Sequence, residues 1–237
     1  MAPPLQRVGA EDPEMSIDVS RPVADLVTAH PELAAVLQRH RIDFCCRGAR
    51  PLRDWCADRG LDTAVVAREL DAAIAARVPT DDDPRALSTP ALAQHIVTRH
   101  HGYLREALPF LVPLAAKVAR VHGDRDLRLV ELRTIVEELD ASLRPHLERE
   151  ELELFSMIAR GDRVPQHELD AMREEHLGVG ALLERMREAA RDYVVPEGAC
   201  RSWTTLLREL ETLERDVLIH VHLENHVLAP RLESEAS

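Results

Sequence analysis

With 237 residues, 45% of them hydrophobic and 30% charged, the chain has the size and composition of a globular protein of one large domain or two modest ones. Its net charge of −12, with no basic stripe, argues against a nucleic-acid partner, and no apolar run reaches membrane-spanning length. Aromatic residues at 3% leave a core of Leu, Val and Ala, which favours helices over sheets.

The first segment, "MAPPLQRVGAEDPEM", lacks the charged-then-apolar layout of a signal peptide and reads, over 1–16, as a disordered tail. A small helical unit follows over 17–76. Ser20, before Arg21-Pro22, looks like an N-cap beside a first-turn proline. "PELAAVLQRH" and "LDTAVVARELDAAIAA" are helical, and "RIDFCCRGARP" between them breaks the pattern as a loop. The cysteines Cys45, Cys46, Cys56 and Cys200 have no framework spacing, which points to a reducing cytoplasm. "RVPTDDDPRALST", residues 77–89, is charged, holds two prolines and lacks an apolar period; it reads as a linker.

The larger unit, 90–232, carries four long amphipathic segments. Their seams run Val97, His101, Leu104 to Val118; Leu132 to Leu143, His146, Glu150, Leu154; Leu169, Met172, His176 to Ala190; and Trp203 to Val217, His220, Glu224, Val227. Alternating steps of three and four are the spacing of bundled helices, and the connections "HGDRD" and "RGDRVP" are short enough for antiparallel neighbours. The fold class is therefore all-α: an up-down-up-down four-helix bundle preceded by a small helical domain.

Each seam contains a histidine, and two carry a glutamate four residues later. His101 stands about 11 residues, or ~16 Å, from the start of its helix, and His176 about as far. His146, Glu150, His220 and Glu224 stand roughly 8–13 residues before the ends of theirs. In an antiparallel bundle all six meet in one layer. Polar groups in a core are costly unless paired, and apolar packing gives no reason for the coincidence. The expectation is a dinuclear metal site, each His/Glu pair holding one ion and bridging to the next, with a donor set suited to iron, manganese or zinc. His122 lies 21 residues past His101, roughly 31 Å along a straight helix, and is left out. His95, His100, His222 and His226 fall off the seams and are expected at the surface or as donors behind the ligands. Pro145, directly before His146, is expected to kink its helix.

The layout resembles hemerythrin-like bundles, and within them the di-iron iron–sulfur cluster repair proteins, the repair-of-iron-centres family. The residues that carry the resemblance are the loop "IDFCCRGARPL", where members have a "YCCGG"-like loop, and "VTRHHGYLREALP", "RPHLEREELELF", "REEHLGVG" and "IHVHLENHVLAPR". It spans about 17 to 232. It implies metal ligands at His101, His146, Glu150, His176, His220 and Glu224, a reactive cysteine pair at Cys45 and Cys46, and a family histidine at His122. The implied cofactor is two iron ions bridged by oxo and carboxylate groups. Arg47 stands where the family usually has a glycine, which reduces backbone freedom in the loop. Arg105 replaces a common histidine. The implied function is cytoplasmic repair of iron–sulfur clusters damaged by oxidative or nitrosative stress, as a repair protein or iron donor more than as a turnover enzyme. Damaged iron–sulfur proteins would be its partners, and a homodimer is compatible. The alternative is a hemerythrin-like sensor binding O2 or NO, or a nitric oxide reductase. Adjacent cysteines do not easily chelate one metal together, and a disulfide between them is strained.

Overall fold

A computed structural model describes residues 17–78 and 83–235. The expected tail, 1–16, and part of the expected linker, 79–82, lie outside the described residues. With each long rod counted once, the described residues form eight helices and no strand. Four short ones make the small unit: α1 Val23–Ala29, α2 Leu33–Arg39, α3 Leu52–Arg59 and α4 Thr63–Ala75. Four rods make the bundle: α5 over 89–122, α6 over 128–160, α7 Gln166–Ala189 and α8 over 201–235. α5 packs on α6 and α8, and α6 and α8 pack on α7, so the rods close into a ring. No described helix is long and apolar enough to cross a membrane.

The seams are buried almost as the periodicity requires. Val97 and Trp203 are only half-buried, and Ile96 takes the core position that Val97 was expected to fill. The apolar core falls into two clusters. The larger runs from the small unit (Leu26, Leu37, Phe44, Leu70) into one end of the bundle (Leu108, Leu139, Leu210). The smaller, with Leu92, Ile96, Phe155, Met172 and Leu228, closes the other end. Each fully buried Leu or Ile stabilises the fold by about 1.5–3 kcal/mol. The histidine–glutamate layer lies where these two clusters stop.

One local expectation changes, and one helix forms where the sequence assigned none. Ser20 does not cap α1: its hydroxyl donates to Asp18 Oδ1 at 2.6 Å, and Pro22 occupies the cap position without a side-chain bond. α3 follows directly on the loop, in a stretch too charged to show an apolar period; only Leu52, Trp55 and Cys56 are buried in it. Its exit uses Gly60 at φ +64°, a left-handed C-cap that favours glycine. Of the remaining linker, Pro84–Ala86 forms a 3-10 turn, and Arg85 donates to Ala29 O at 2.9 Å, tying the connection to the end of α1.

The best side-chain cap in the small unit is Asp62, which accepts from Ala64 N at 2.9 Å and Val65 N at 3.3 Å. Asp62→Ala is expected to lower stability by about 1 kcal/mol without moving the bundle, as read by urea denaturation.

Candidate metal centre

Three of the four rods depart from α-helical winding at one level. α5 has a π-helical turn at Val97–His101, α6 at Glu150–Leu154 and α8 at Glu224–Leu228. His101 ends the first of these turns; Glu150 and Glu224 begin the others. A π turn inserts one extra residue and so rotates the seam, and such turns concentrate at functional sites. Pro145 stays within the helix Arg128–Arg149 on its exposed side.

All six seam residues come together and all are buried, between 0 and 3% exposed. His101 Nε2 lies 3.2 Å from His220 Nε2, and His146 Nε2 lies 3.2 Å from His176 Nε2. The carboxylates sit between these two pairs. Glu150 Oε2 is 3.3 Å from His146 and 3.5 Å from His101, while Glu150 Oε1 is 3.9 Å from His176. Glu224 Oε1 is 2.9 Å from His220 and 3.9 Å from His101, and Glu224 Oε2 is 3.2 Å from His176. Two four-residue sets result, His101/His220 and His146/His176, each with both glutamates. The expected division is kept: the His220/Glu224 pair falls in one set and the His146/Glu150 pair in the other, and each glutamate is shared with the opposite set, with His101 joining the first and His176 the second.

The imidazoles are aimed from behind. His101 Nδ1 lies 2.8 Å from Glu151 Oε1, His146 Nδ1 2.7 Å from Glu175 Oε2, and His176 Nδ1 2.9 Å from Asn225 Oδ1. Each contact places the proton on Nδ1 and leaves the Nε2 lone pair facing inward, as a metal-binding imidazole requires. Arg105 pairs with Glu151 at 2.6 Å and Arg149 pairs with Glu175, so the arginine found in place of the family histidine supports the His101 contact from outside. Sequence reading missed Glu151, Glu175 and Asn225. All three are next to a seam residue and off the apolar period; their one signal is an acid or amide adjacent in sequence to a core His or Glu.

These residues fit a metal. Both oxygens of Glu150, Glu224 Oε2 and His220 Nδ1 are buried without a hydrogen-bond partner among the described residues. Such orphans are expensive. Two inward lone pairs 3.2 Å apart repel unless a cation lies between them. Nitrogen and oxygen ligands bonded to one ion at about 2.0–2.2 Å stand roughly 3 Å apart, close to the separations found. The electrostatics agree. Burial, then Glu224, pushes Glu150 well above the usual carboxylate range. Burial acts on Glu224 in the same sense, but His220, His101 and His176 outweigh it and hold that carboxyl well below. Burial brings His220 down to about 4 and lowers His146 too, which keeps these imidazoles neutral and able to donate lone pairs. The layer offers a mixed imidazole and carboxylate donor set that could hold metal ions.

The remaining histidines have other partners. His122 lies at the far end of the bundle, 3.1 Å from Cys200 Sγ and beside Trp203, away from the centre. His100 and His222 are buried rather than at the surface. His100 stacks on His220 with ring centroids 5.6 Å apart and bonds Asp216 at 3.0 Å. His222 packs against Phe44 and Thr28 of the small unit. His226 Nε2 meets Cys45 O at 2.7 Å.

The cysteine loop is clamped onto this centre. Asn225 Nδ2 donates to Cys45 O at 3.1 Å while its Oδ1 holds His176, and the Cys46 thiol donates to His176 O at 3.2 Å. Gly180 of α7 makes room: a Cβ there would stand 3.1 Å from Cys46 Sγ. Arg47 does not strain the loop, because its φ is negative. The glycine the loop needs is Gly48, whose Cβ would stand 2.4 Å from Phe44 O. The hydrogen bond to Cys46, with burial, raises the Cys45 thiol well above its ordinary range.

Residues 92–232 match the hemerythrin HHE cation binding domain, and residues 19–74 match ScdA_N, a domain of unknown function (DUF542). The iron-sulfur cluster repair protein ScdA of Staphylococcus haemolyticus is 32% identical over 216 residues, covering 87% of this chain and 95% of the relative. The iron-sulfur cluster repair proteins YtfE of Shigella boydii and of Escherichia coli are each 32% identical over 212 residues, covering 89% of this chain and 96% of the relative.

Proposed function

The chain belongs to the hemerythrin-like iron–sulfur cluster repair proteins, and from that membership we propose that it restores clusters damaged by oxidative or nitrosative stress in the cytoplasm, using a di-iron centre as its iron source. The observation that carries the di-iron reading is the pair of four-residue sets sharing Glu150 and Glu224. His101 and His220 would hold one ion and His146 and His176 the other, with the two carboxylates bridging.

When bound, the ions supply exchangeable iron. The residues supply its control. Glu151, Glu175 and Asn225 hold the Nδ1 protons of three imidazoles and so keep Nε2 aimed inward. His220 Nδ1 has no such partner among the described residues, so this imidazole is the least firmly aimed of the four. The Phe155 ring lies against His101 at 5.6 Å and excludes water on that side. Competition by protons for Nε2 and for the carboxylates weakens such a donor set, which makes release possible as well as binding.

Protein from iron-supplemented cells is expected to carry about two irons per chain with antiferromagnetic coupling by Mössbauer spectroscopy. The same protein is expected to speed recovery of an iron–sulfur hydratase inactivated by nitric oxide, several-fold over ferrous salt at equal concentration. Recovery no faster than with ferrous salt would overturn the repair role. Turnover of nitric oxide with an electron donor, without cluster recovery, would replace it by a reductase. Reversible spectral change with O2 or NO alone would replace it by a sensor.

A further inference from the structure

The short loop between α2 and α3 brings three more metal-binding groups together. Asp43 Oδ1 accepts the backbone N–H of Cys45 at 3.0 Å and of Cys46 at 2.8 Å. This tight turn puts both thiols on one side, with Sγ atoms 3.4 Å apart and Cys45 Sγ 3.4 Å from Asp43 Oδ1. The ligand atoms of all three residues lie within 4.8 Å of one another. Sequence adjacency makes it hard for two such cysteines to share an ion, but this turn brings their sulfurs together. A tetrahedral ion bonded to both sulfurs at about 2.3 Å would hold them about 3.8 Å apart, a small adjustment from the distance found.

The loop opens on a cleft at the junction of the two domains, lined by Cys45, Cys46, Arg47, Trp55 and Gly180 among others. Cys45 is buried and Cys46 half-buried, and both are free thiols. Of the arginines around the cleft, Arg41, Arg59 and Arg187 are each paired with a carboxylate. Arg47 is exposed and has no ion pair among the described residues. Two thiolates and a carboxylate around a divalent ion leave one net negative charge, which Arg47 is placed to offset.

We propose that Asp43, Cys45 and Cys46 form a second metal site, for a divalent ion of borderline softness such as ferrous iron or zinc, with the remaining coordination position open to the cleft. Binding breaks two S–H bonds, forms two metal–sulfur bonds and releases two protons to solvent, with no change of oxidation state. The site is separate from the bundle centre and does not depend on its metal content.

The test uses the full chain, reduced and kept anaerobic, titrated with cobalt(II). Thiolate-to-cobalt charge transfer absorbs in the near ultraviolet, and the bundle's nitrogen and oxygen ligands give no such band. The expected result is a band that saturates once one cobalt per chain has bound in addition to any held by the bundle. It is lost in Cys46→Ser, and its affinity falls by about tenfold or more in Asp43→Asn. Asparagine keeps a side-chain oxygen to accept the two backbone bonds, so the loop retains its shape. The band should persist in Cys200→Ser and in the Glu150→Gln/Glu224→Gln double variant. No band with excess cobalt, a band surviving Cys46→Ser, or affinity unchanged in Asp43→Asn would each overturn the proposal. So would a band that disappears with the two glutamates. None of these outcomes bears on the iron content of the bundle or on cluster recovery.

Discussion

Glu150→Leu is expected to make the metal-free protein more stable and to abolish its stabilisation by metal. Glu150 is 2% exposed, and neither of its oxygens has a hydrogen-bond partner among the described residues. Replacing an unsatisfied buried carboxyl by an apolar side chain of similar size removes a penalty of about 1–3 kcal/mol. The flanking seam residues Leu143 and Leu154 are buried leucines, so a leucine at 150 continues their row. The gain depends on pH in a definite sense. Burial and the Glu224 charge raise the folded-state pKa above the ordinary value of 4.5. The unfolded chain therefore ionises first, and wild-type stability falls as pH rises from that value toward the folded pKa. Glu150→Leu loses this dependence, so its advantage over wild type is larger at pH 8 than at pH 4. Metal binding reverses the order. A ligand at 1,000 times its dissociation constant stabilises the wild type by about 4 kcal/mol, and without a shared bridge the variant gains little. Differential scanning calorimetry with chelator and with ferrous iron reads both effects. A variant less stable than wild type in chelator, with the metal-induced shift intact, would remove Glu150 from the centre.

Glu214→Leu is expected to have the opposite character, a large loss with no direct effect on the metal layer. Glu214 and Arg187 are 4% and 8% exposed, in contact across α8 and α7. Arg187 Nε donates to Glu214 Oε1 at 2.8 Å, and Gln38 of α2 donates to Glu214 Oε2 at 2.7 Å. Arg187 also lies over the Tyr193 ring and near Asp192, which receives two bonds from Arg41 of the small unit. The network therefore holds the bundle together and ties the small unit to it. Removing Glu214 leaves a buried guanidinium without its main counter-charge, at a cost of about 3–5 kcal/mol. Arg187→Met/Glu214→Leu should recover most of this, because no charge is left stranded. Urea denaturation reads the stability, and hydrogen exchange in α2 reads the docking. A single variant that costs under about 1 kcal/mol would show that the pair contributes little.

The metal layer was legible because it obeys the same period as the core. A polar residue on a seam otherwise made of Leu, Val and Ile contradicts the local rule, and six such contradictions at matching heights have one economical explanation. His146 and Glu150 show it best: four residues apart, between Leu143 and Leu154, they must point where those leucines point. The residues that aim the imidazoles were not legible. Glu151, Glu175 and Asn225 stand where a helix usually carries solvated polar groups, and only their place beside a core His or Glu separates them from Glu148 or Glu174. His222 and His226 were misplaced for a related reason. They lie off the bundle seam because they belong to a second interface, the one with Phe44 and Cys45, which exists only once the small unit is docked. Leu52, Trp55 and Cys56 are too few to give α3 a visible period, so the sequence assigned no element there.

By itself the sequence determined the all-α class, the four rods and the six side chains aimed into their centre, since helical periodicity converts spacing along one chain directly into a shared face. Only the tertiary structure decided which of the two His/Glu pairs His101 and His176 each join, where the three π turns fall, and that Asp43, Cys45 and Cys46 converge on one point beside His176. These depend on contacts between segments far apart in the chain and on departures from regular winding. A repeat that describes one ideal helix at a time carries no record of either.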